Sequence, residues 1–154
     1  MKNAPPKPYV VRNSPVHGRG VFAARDIAKG ERVLEYRGTR TSFSEAREHD
    51  LSDPNDPFHT FIMETSDGTV IDAGRKGNAA RYINHSCDGN CKAYEEENGE
   101  VWIYAKKNIK AGAELAYDYG LTFPFKLTKK AKAAFACRCG SKKCRGTMLA
   151  SGQA

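Results

Sequence analysis

The chain has 154 residues, 40% hydrophobic and 28% charged, which gives room for one ordinary globular domain and a small appendage but not for a second full-sized domain. No run approaches the roughly 18–20 apolar residues that span a bilayer, and residues 1–6 lack the apolar stretch of a secretory signal, so a cytoplasmic location without membrane contact is expected. The net charge of +7 is a tail property: residues 1–123 carry 17 Lys and Arg against 18 Asp and Glu, whereas residues 124–154 carry 8 against none.

Fourteen Gly and seven Pro indicate a chain that turns often. Residues 9–12 and 20–24 read as short strands around the Ser14-Pro15 turn, and residues 32–36 as another after Lys29-Gly30. Ser42-Phe43-Ser44-Glu45 fits a capping box, predicting a helix over residues 44–51 that Pro54 and Pro57 close. Residues 59–64 and 69–71 flank Ser66-Asp67-Gly68 as a hairpin. A second hairpin is expected around Asn98-Gly99, with residues 101–105 as its returning arm. Residues 114–117 follow the Ala111-Gly112 turn as a last short strand, and a linker with helical character over 128–135 leads to a cysteine cluster. The expected fold class is mainly β, with many short strands and one or two small helices.

Gly18-Arg19-Gly20-Val21-Phe22-Ala23 fits a dinucleotide fingerprint in form. That fingerprint needs a strand before it and a long helix after it. Here Pro15 precedes it and β-formers follow, so no such site is expected. The five cysteines, Cys87, Cys91, Cys137, Cys139 and Cys144, are odd in number and argue against a disulfide framework. Cys137-x-Cys139-x4-Cys144 suits three thiolates on one tetrahedral Zn²⁺, with a fourth Cys or His from elsewhere in the fold. The basic run of Lys126, Lys129, Lys130, Lys132, Arg138, Lys142, Lys143 and Arg145 can take nucleic acid or stand as a solvated end; nucleic acid is not the expected partner. Residues 44–57 are locally acidic, with Glu45, Glu48, Asp50, Asp53 and Asp56 against Arg47.

Two stretches are dense in polar chemistry. Residues 81–91 favour a tightly hydrogen-bonded loop over a helix or strand. In residues 114–120, Tyr117 and Tyr119 stand at i and i+2 of a strand and so share a face, where they can line one pocket or simply pack.

Taken together, five segments resemble the SET-domain protein-lysine methyltransferases. They are His17-Gly18-Arg19-Gly20-Val21-Phe22-Ala23, Glu35-Tyr36-Arg37-Gly38, residues 77–87 ending in Asn84-His85-Ser86-Cys87, residues 114–120, and Cys137-x-Cys139-x4-Cys144-Arg145-Gly146. The last is similar to the family's post-SET zinc motif. Two departures are visible: Gly89 stands where the family often has Pro, and the stretch between Gly38 and Phe58 is short. The resemblance implies a β-clip of short strands with a knot-like crossing. It divides the chain into an N-terminal tail (1–8), a SET domain (9–123), a basic linker (124–136) and a post-SET motif with the C-terminus (137–154). A lone unit of this kind resembles bacterial stand-alone members.

The resemblance also implies chemistry. S-adenosyl-L-methionine is the methyl donor, with His17, Gly18, Arg19 and Gly20 holding its methionyl part, Asn84 and His85 binding it at the crossing, and His59 near it. Tyr119 is the catalytic tyrosine, Tyr117 influences how many methyl groups are added, and Tyr36 helps wall the lysine channel. One structural Zn²⁺ sits on Cys87, Cys137, Cys139 and Cys144, leaving Cys91 as a packed thiol. The implied substrate is a lysine in a basic, histone-like or nucleoid-associated protein, mainly mono- or dimethylated. The alternative is a catalytically inactive, zinc-stabilised module that binds nucleic acid or a protein through its basic tail.

Overall fold

The computed structural model describes residues 7–15, 18–48, 61–121, 126, 128–137 and 141–150. Strand β1 (Tyr9–Asn13) pairs antiparallel with β2 (Arg19–Ala23), Val11 facing Val21 across the turn. Strand β3 (Arg32–Tyr36) follows where expected. An unanticipated strand, β4 (Thr39–Thr41), comes next, then helix α1 (Phe43–Glu48). Gly38 permits this bend, because a Cβ there would meet the Asp72 carbonyl oxygen at 2.4 Å.

The Ser42 hydroxyl accepts the Glu45 amide at 3.1 Å, so the expected cap forms, with the helix one residue longer at its start. The Glu45 carboxylate accepts the Thr41 hydroxyl. Residues 49–60, which include the expected helix end, Pro54, Pro57 and His59, lie outside the described residues.

Strands β5 (Ile62–Glu64) and β6 (Val70–Asp72) make the first hairpin, and β4 joins the far side of β6. After a 3-10 helix (Ala79–Tyr82) comes β7 (Asn84–His85). The expectation of a loop over residues 81–91 is corrected here: these residues include the end of a short helix and a two-residue strand, because a distant segment supplies the strand's partner. Strands β8 (Cys91–Glu95) and β9 (Val101–Ala105) form the second hairpin, with β3 on the other edge of β9. Val101, Ile103 and Ala105 point inward, while Trp102 lies under the Arg32 guanidinium at 3.8 Å.

The final strand, β10 (Ala116–Tyr117), is shorter than expected and pairs parallel with β7. Glu114 instead bridges to Phe22. Helix α2 (Lys129–Ala134) then leads to a tail in which Ala136 pairs with Thr147 and Leu121 with Leu149.

The core gathers Val21, Val33, Leu34, Ile83, Ile103 and Leu115 from these small sheets. Met148 and Leu149 are 0% and 1% exposed, so the tail is packed at its end. Burial of each such side chain contributes about 1.5–3 kcal/mol. Among the described residues, no helix is long and apolar enough to cross a membrane.

Candidate active site

The parallel contact between β7 and β10 sets Asn84 beside Ala116 and His85 beside Tyr117. Two-residue strands hold little by themselves, and side chains complete the ladder. Asn90 donates from Nδ2 to the Glu114 carbonyl at 2.9 Å and accepts the Ala116 amide at 3.0 Å. The Ser86 amide donates to the Tyr117 carbonyl at 3.1 Å. Gly89 makes this approach possible, since a Cβ there would stand 2.4 Å from the Ala116 carbonyl oxygen.

Asn84 is 1% exposed. Its Nδ2 donates to Glu114 Oε2 at 2.7 Å, Ser14 Oγ at 3.2 Å and the Arg19 carbonyl at 3.3 Å. The Ser14 hydroxyl in turn donates to Glu114 at 2.8 Å. One buried amide thus joins the start of β2 to the crossing. Gly20 leaves room beneath it, because a Cβ would meet Ser14 Cβ at 2.9 Å and displace Glu114 Oε2, 2.3 Å away, from Asn84. Gly18 (φ 46) and Arg19 lie exposed at the same end of β2, and the Arg19 guanidinium stands 5.7 Å from the Tyr82 ring centroid.

The two tyrosines do meet. Tyr117 is 7% exposed, Tyr119 is half-buried, and their ring centroids are 5.0 Å apart at an interplanar angle of 55°. Burial pushes the Tyr117 phenol up. The Tyr119 hydroxyl donates to the Ile83 carbonyl, and its amide donates to His85 Nδ1 at 3.0 Å. Tyr36 is 2% exposed at the end of β3. His85 is 1% exposed, and burial holds its pKa down to about 4 despite the Asp118 carboxylate nearby. Both of its ring nitrogens have partners within the chain, so its side chain faces protein.

A sulfur cluster adjoins the crossing. Cys87 Sγ lies 3.7 Å from Cys137 Sγ and 3.4 Å from His85 Nε2, and the three candidate ligand atoms fall within 4.8 Å of one another. Zinc–sulfur bonds of about 2.3 Å in a tetrahedron place neighbouring sulfurs about 3.8 Å apart, so the Cys87–Cys137 pair fits a zinc edge. The Arg145 amide donates to Cys87 Sγ at 3.3 Å and the Gly146 amide to Cys144 Sγ at 3.4 Å, donors that suit thiolates. Cys144 Sγ lies 3.8 Å from the Cys137 carbonyl but outside the group that His85, Cys87 and Cys137 form. Cys139 and His17 lie outside the described residues. Cys91 sits apart in the core at 3% exposure, its thiol pushed up to about 12 by burial.

Sequence reasoning overlooked Ser14, Asn90, Asp118 and the tail clamp. Arg145 grips Asp118 with both nitrogens, at 2.5 and 3.0 Å, and reaches the Leu149 carbonyl at 3.2 Å. Burial opposes the Asp118 carboxylate, yet Arg145 and the Gly120 amide hold it below its ordinary range. The available signal was an acid between the two tyrosines and an Arg directly after Cys144.

Comparison with known proteins adds the family context. The family model of the SET domain matches residues 18–120. The histone-lysine N-methyltransferase trithorax of Drosophila virilis is 39% identical over 145 residues, covering 90% of this chain and 4% of that protein. The Saccharomyces cerevisiae histone-lysine N-methyltransferase described as H3 lysine-4 specific is 36% identical over 145 residues, covering 91% of this chain and 13% of that protein. The chain therefore spans only a small part of the length of these relatives. The crystal structure of the Chaetomium thermophilum polycomb repressive complex 2 is similar with a TM-score of 0.66 and 36% identity, over 77% of this chain and 16% of that one.

Proposed function

This chain belongs to the SET-domain family, and we propose that it transfers methyl groups from S-adenosyl-L-methionine to the side-chain amine of lysine in a protein. The observation that carries this reading is the crossing itself: Asn84, His85, Tyr117 and Tyr119 meet there beside the Gly18–Gly20 end of β2.

The residues fit the donor molecule. Gly18 and Arg19 are exposed while their carbonyls are held by the Ser14 amide and by Asn84, so this end of β2 is a fixed surface that can meet an amino acid moiety. Arg81 Nε is buried with no hydrogen-bond partner among the described residues, and a carboxylate or hydroxyl is the acceptor such a donor takes. When bound, the cofactor supplies an electrophilic methyl group on a sulfonium. The protein's part is alignment and exclusion of water. A lysine amine has an ordinary pKa near 10.4, and an apolar channel lowers the cost of presenting it uncharged. Tyr36 and the half-buried Phe61 supply such walls. With its O–H donating a hydrogen bond to the Ile83 carbonyl, the Tyr119 oxygen presents lone pairs to CH and NH groups and holds them in line. The Tyr117 phenol restricts the space beside the amine, which favours mono- and dimethylation.

Cys87, Cys137, Cys139 and Cys144 are the proposed zinc set, and the metal's role is to fasten residues 137–154 onto the 9–123 unit. The preferred substrate is a lysine with basic neighbours. This follows from the acidic segment beginning at α1, where Glu45 and Glu48 are exposed, and from relatives named for histone lysine. The test is incubation with isotope-labelled methyl donor and a panel of lysine peptides, including the histone H3 N-terminal segment. Transfer to lysine, stronger with Lys or Arg flanks and weakening as salt rises, is expected. Preference for acidic flanks would overturn the substrate assignment, and absence of transfer to any lysine would overturn the activity.

A further inference from the structure

His85 has two ends, and each touches a different part of the proposed machinery. Its Nδ1 accepts the Tyr119 amide at 3.0 Å. A neutral imidazole nitrogen that accepts a hydrogen bond carries no proton, so the proton resides on Nε2. Nε2 faces Cys87 Sγ at 3.4 Å, a suitable span for N–H donation to sulfur. A nitrogen bearing a proton cannot ligate a metal, which places His85 outside the coordination sphere although it lies within reach of it. The ring is 1% exposed and packs edge-on against the Tyr119 ring at 5.2 Å, so its plane is fixed from a third side. Asp118 Oδ1, at 3.8 Å from Nδ1, is too distant to compete for that nitrogen.

We propose that His85 is a positioning residue that couples the metal cluster to the catalytic tyrosine: Nε2–H holds the Cys87 sulfur while Nδ1 holds the backbone of Tyr119. The proposal rests on the zinc set and the role of Tyr119 given above. Metal binding turns Cys87 into a fixed thiolate, a stronger acceptor than a thiol. The ring is then held at Nε2, and the Tyr119 amide is held through Nδ1. Loss of metal loosens the same chain of contacts, so metal occupancy sets the register of the phenol and not merely the order of the tail.

Two substitutions separate the ends. His85→Asn places an acceptor near the Nδ1 position and removes the donor to Cys87, whereas His85→Gln keeps a donor at the longer reach and removes the Nδ1 acceptor. Zinc affinity, measured by competition with a chromogenic chelator, is expected to fall about 10–100-fold in His85→Asn. In His85→Gln it stays within about threefold of the unsubstituted protein, while kcat falls by roughly 10²-fold and peptide KM holds. With Co²⁺ in place of zinc, the ligand-field bands of the tetrahedral site are expected to be kept by both substitutions, because neither exchanges a ligand. NMR of isotope-labelled histidine in the unsubstituted, zinc-loaded protein reads the tautomer without any variant, and an Nε2–H ring is expected.

An Nδ1–H ring, a cobalt spectrum that loses an imidazole contribution on substitution, failure to bind zinc, or equal zinc affinity in all three proteins would overturn the proposal. The metal and tautomer measurements do not use methyl transfer. An inactive protein that still shows them would fail the proposed activity alone.

Discussion

Replacing Gly89 by Ala tests whether the β7–β10 crossing is as tight as the active site requires. The added Cβ would lie 2.4 Å from the Ala116 carbonyl oxygen and 2.8 Å from both the Ala116 carbonyl carbon and Tyr117 Cα. Ordinary contact begins at 3.4 Å, so the two segments must part by about 1 Å, and the obstructing atoms are backbone that cannot rotate away. Overpacking of this kind costs about 1–3 kcal/mol. For a chain of this size that lowers Tm by roughly 2–12 °C. The same displacement moves β10, with Tyr117 at its end and Tyr119 just beyond it, and a misplacement of about 1 Å can cost about 10²-fold in rate. Gly30→Ala is the control. Gly30 has φ +87, and a Cβ there would meet no atom within 4 Å, so Ala strains the backbone by about 1–2 kcal/mol without touching the crossing. Differential scanning fluorimetry and single-turnover methyl transfer on both variants should show Gly89→Ala losing stability and rate together, and Gly30→Ala losing stability alone. A Gly89→Ala protein with unchanged Tm and rate would refute the reasoning.

Tyr117→Phe should retain activity and shift products toward higher methylation, because removing the phenol oxygen opens volume beside the amine; mass spectrometry of a peptide product reads the shift, and predominant trimethylation before substitution would contradict it. Cys91, buried and pushed up to about 12, should resist alkylation at pH 8–9 in the folded protein and react once urea exposes it. Peptide mapping after labelling checks this. The Asp67 carboxylate is held at about 2, from an ordinary 3.8, chiefly by the Thr69 hydroxyl and amide and then by the Thr65 hydroxyl. A carboxylate whose pKa is lower when folded stabilises above its unfolded pKa. That contribution to the β5–β6 turn should therefore be complete above pH 3.8 and disappear as pH falls toward 2, a trend absent from Asp67→Asn. Carboxyl NMR titration with hydrogen exchange of the turn amides measures it.

The elements legible in the sequence were those whose information is local. The β8–β9 hairpin could be read because Asn98-Gly99 marks its turn and Val101, Ile103 and Ala105 alternate along one arm. Strand β4 could not, since Thr39-Arg40-Thr41 has no apolar alternation and becomes a strand only because β6 offers an edge. The β7–β10 pair is two residues long, with partners about thirty positions apart, and no periodicity announces it. Tyr117 and Tyr119 illustrate a sound expectation with a different cause: β10 ends at Tyr117, so their proximity comes from ring packing at the strand's end rather than from a shared strand face. Ser14 and Glu114 are 100 residues apart, and only the folded chain places the hydroxyl on the carboxylate. The cysteine spacing suggested a metal and the resemblance supplied Cys87, which the fold sets beside Cys137, whereas nothing in the sequence placed the His85 ring between Cys87 and Tyr119.

Methyl transfer organised by Tyr119 is the central claim, and intact-mass measurement of a lysine peptide over time tests it most directly. The peptide is incubated with S-adenosyl-L-methionine and either the unsubstituted protein or Tyr119→Phe, after both are shown to have the same Tm. The account predicts mass gains of one and two methyl groups confined to the lysine with the unsubstituted protein, and loss of most of that rate with Tyr119→Phe. Methylation at equal rates by the two proteins, or none by either, would contradict it.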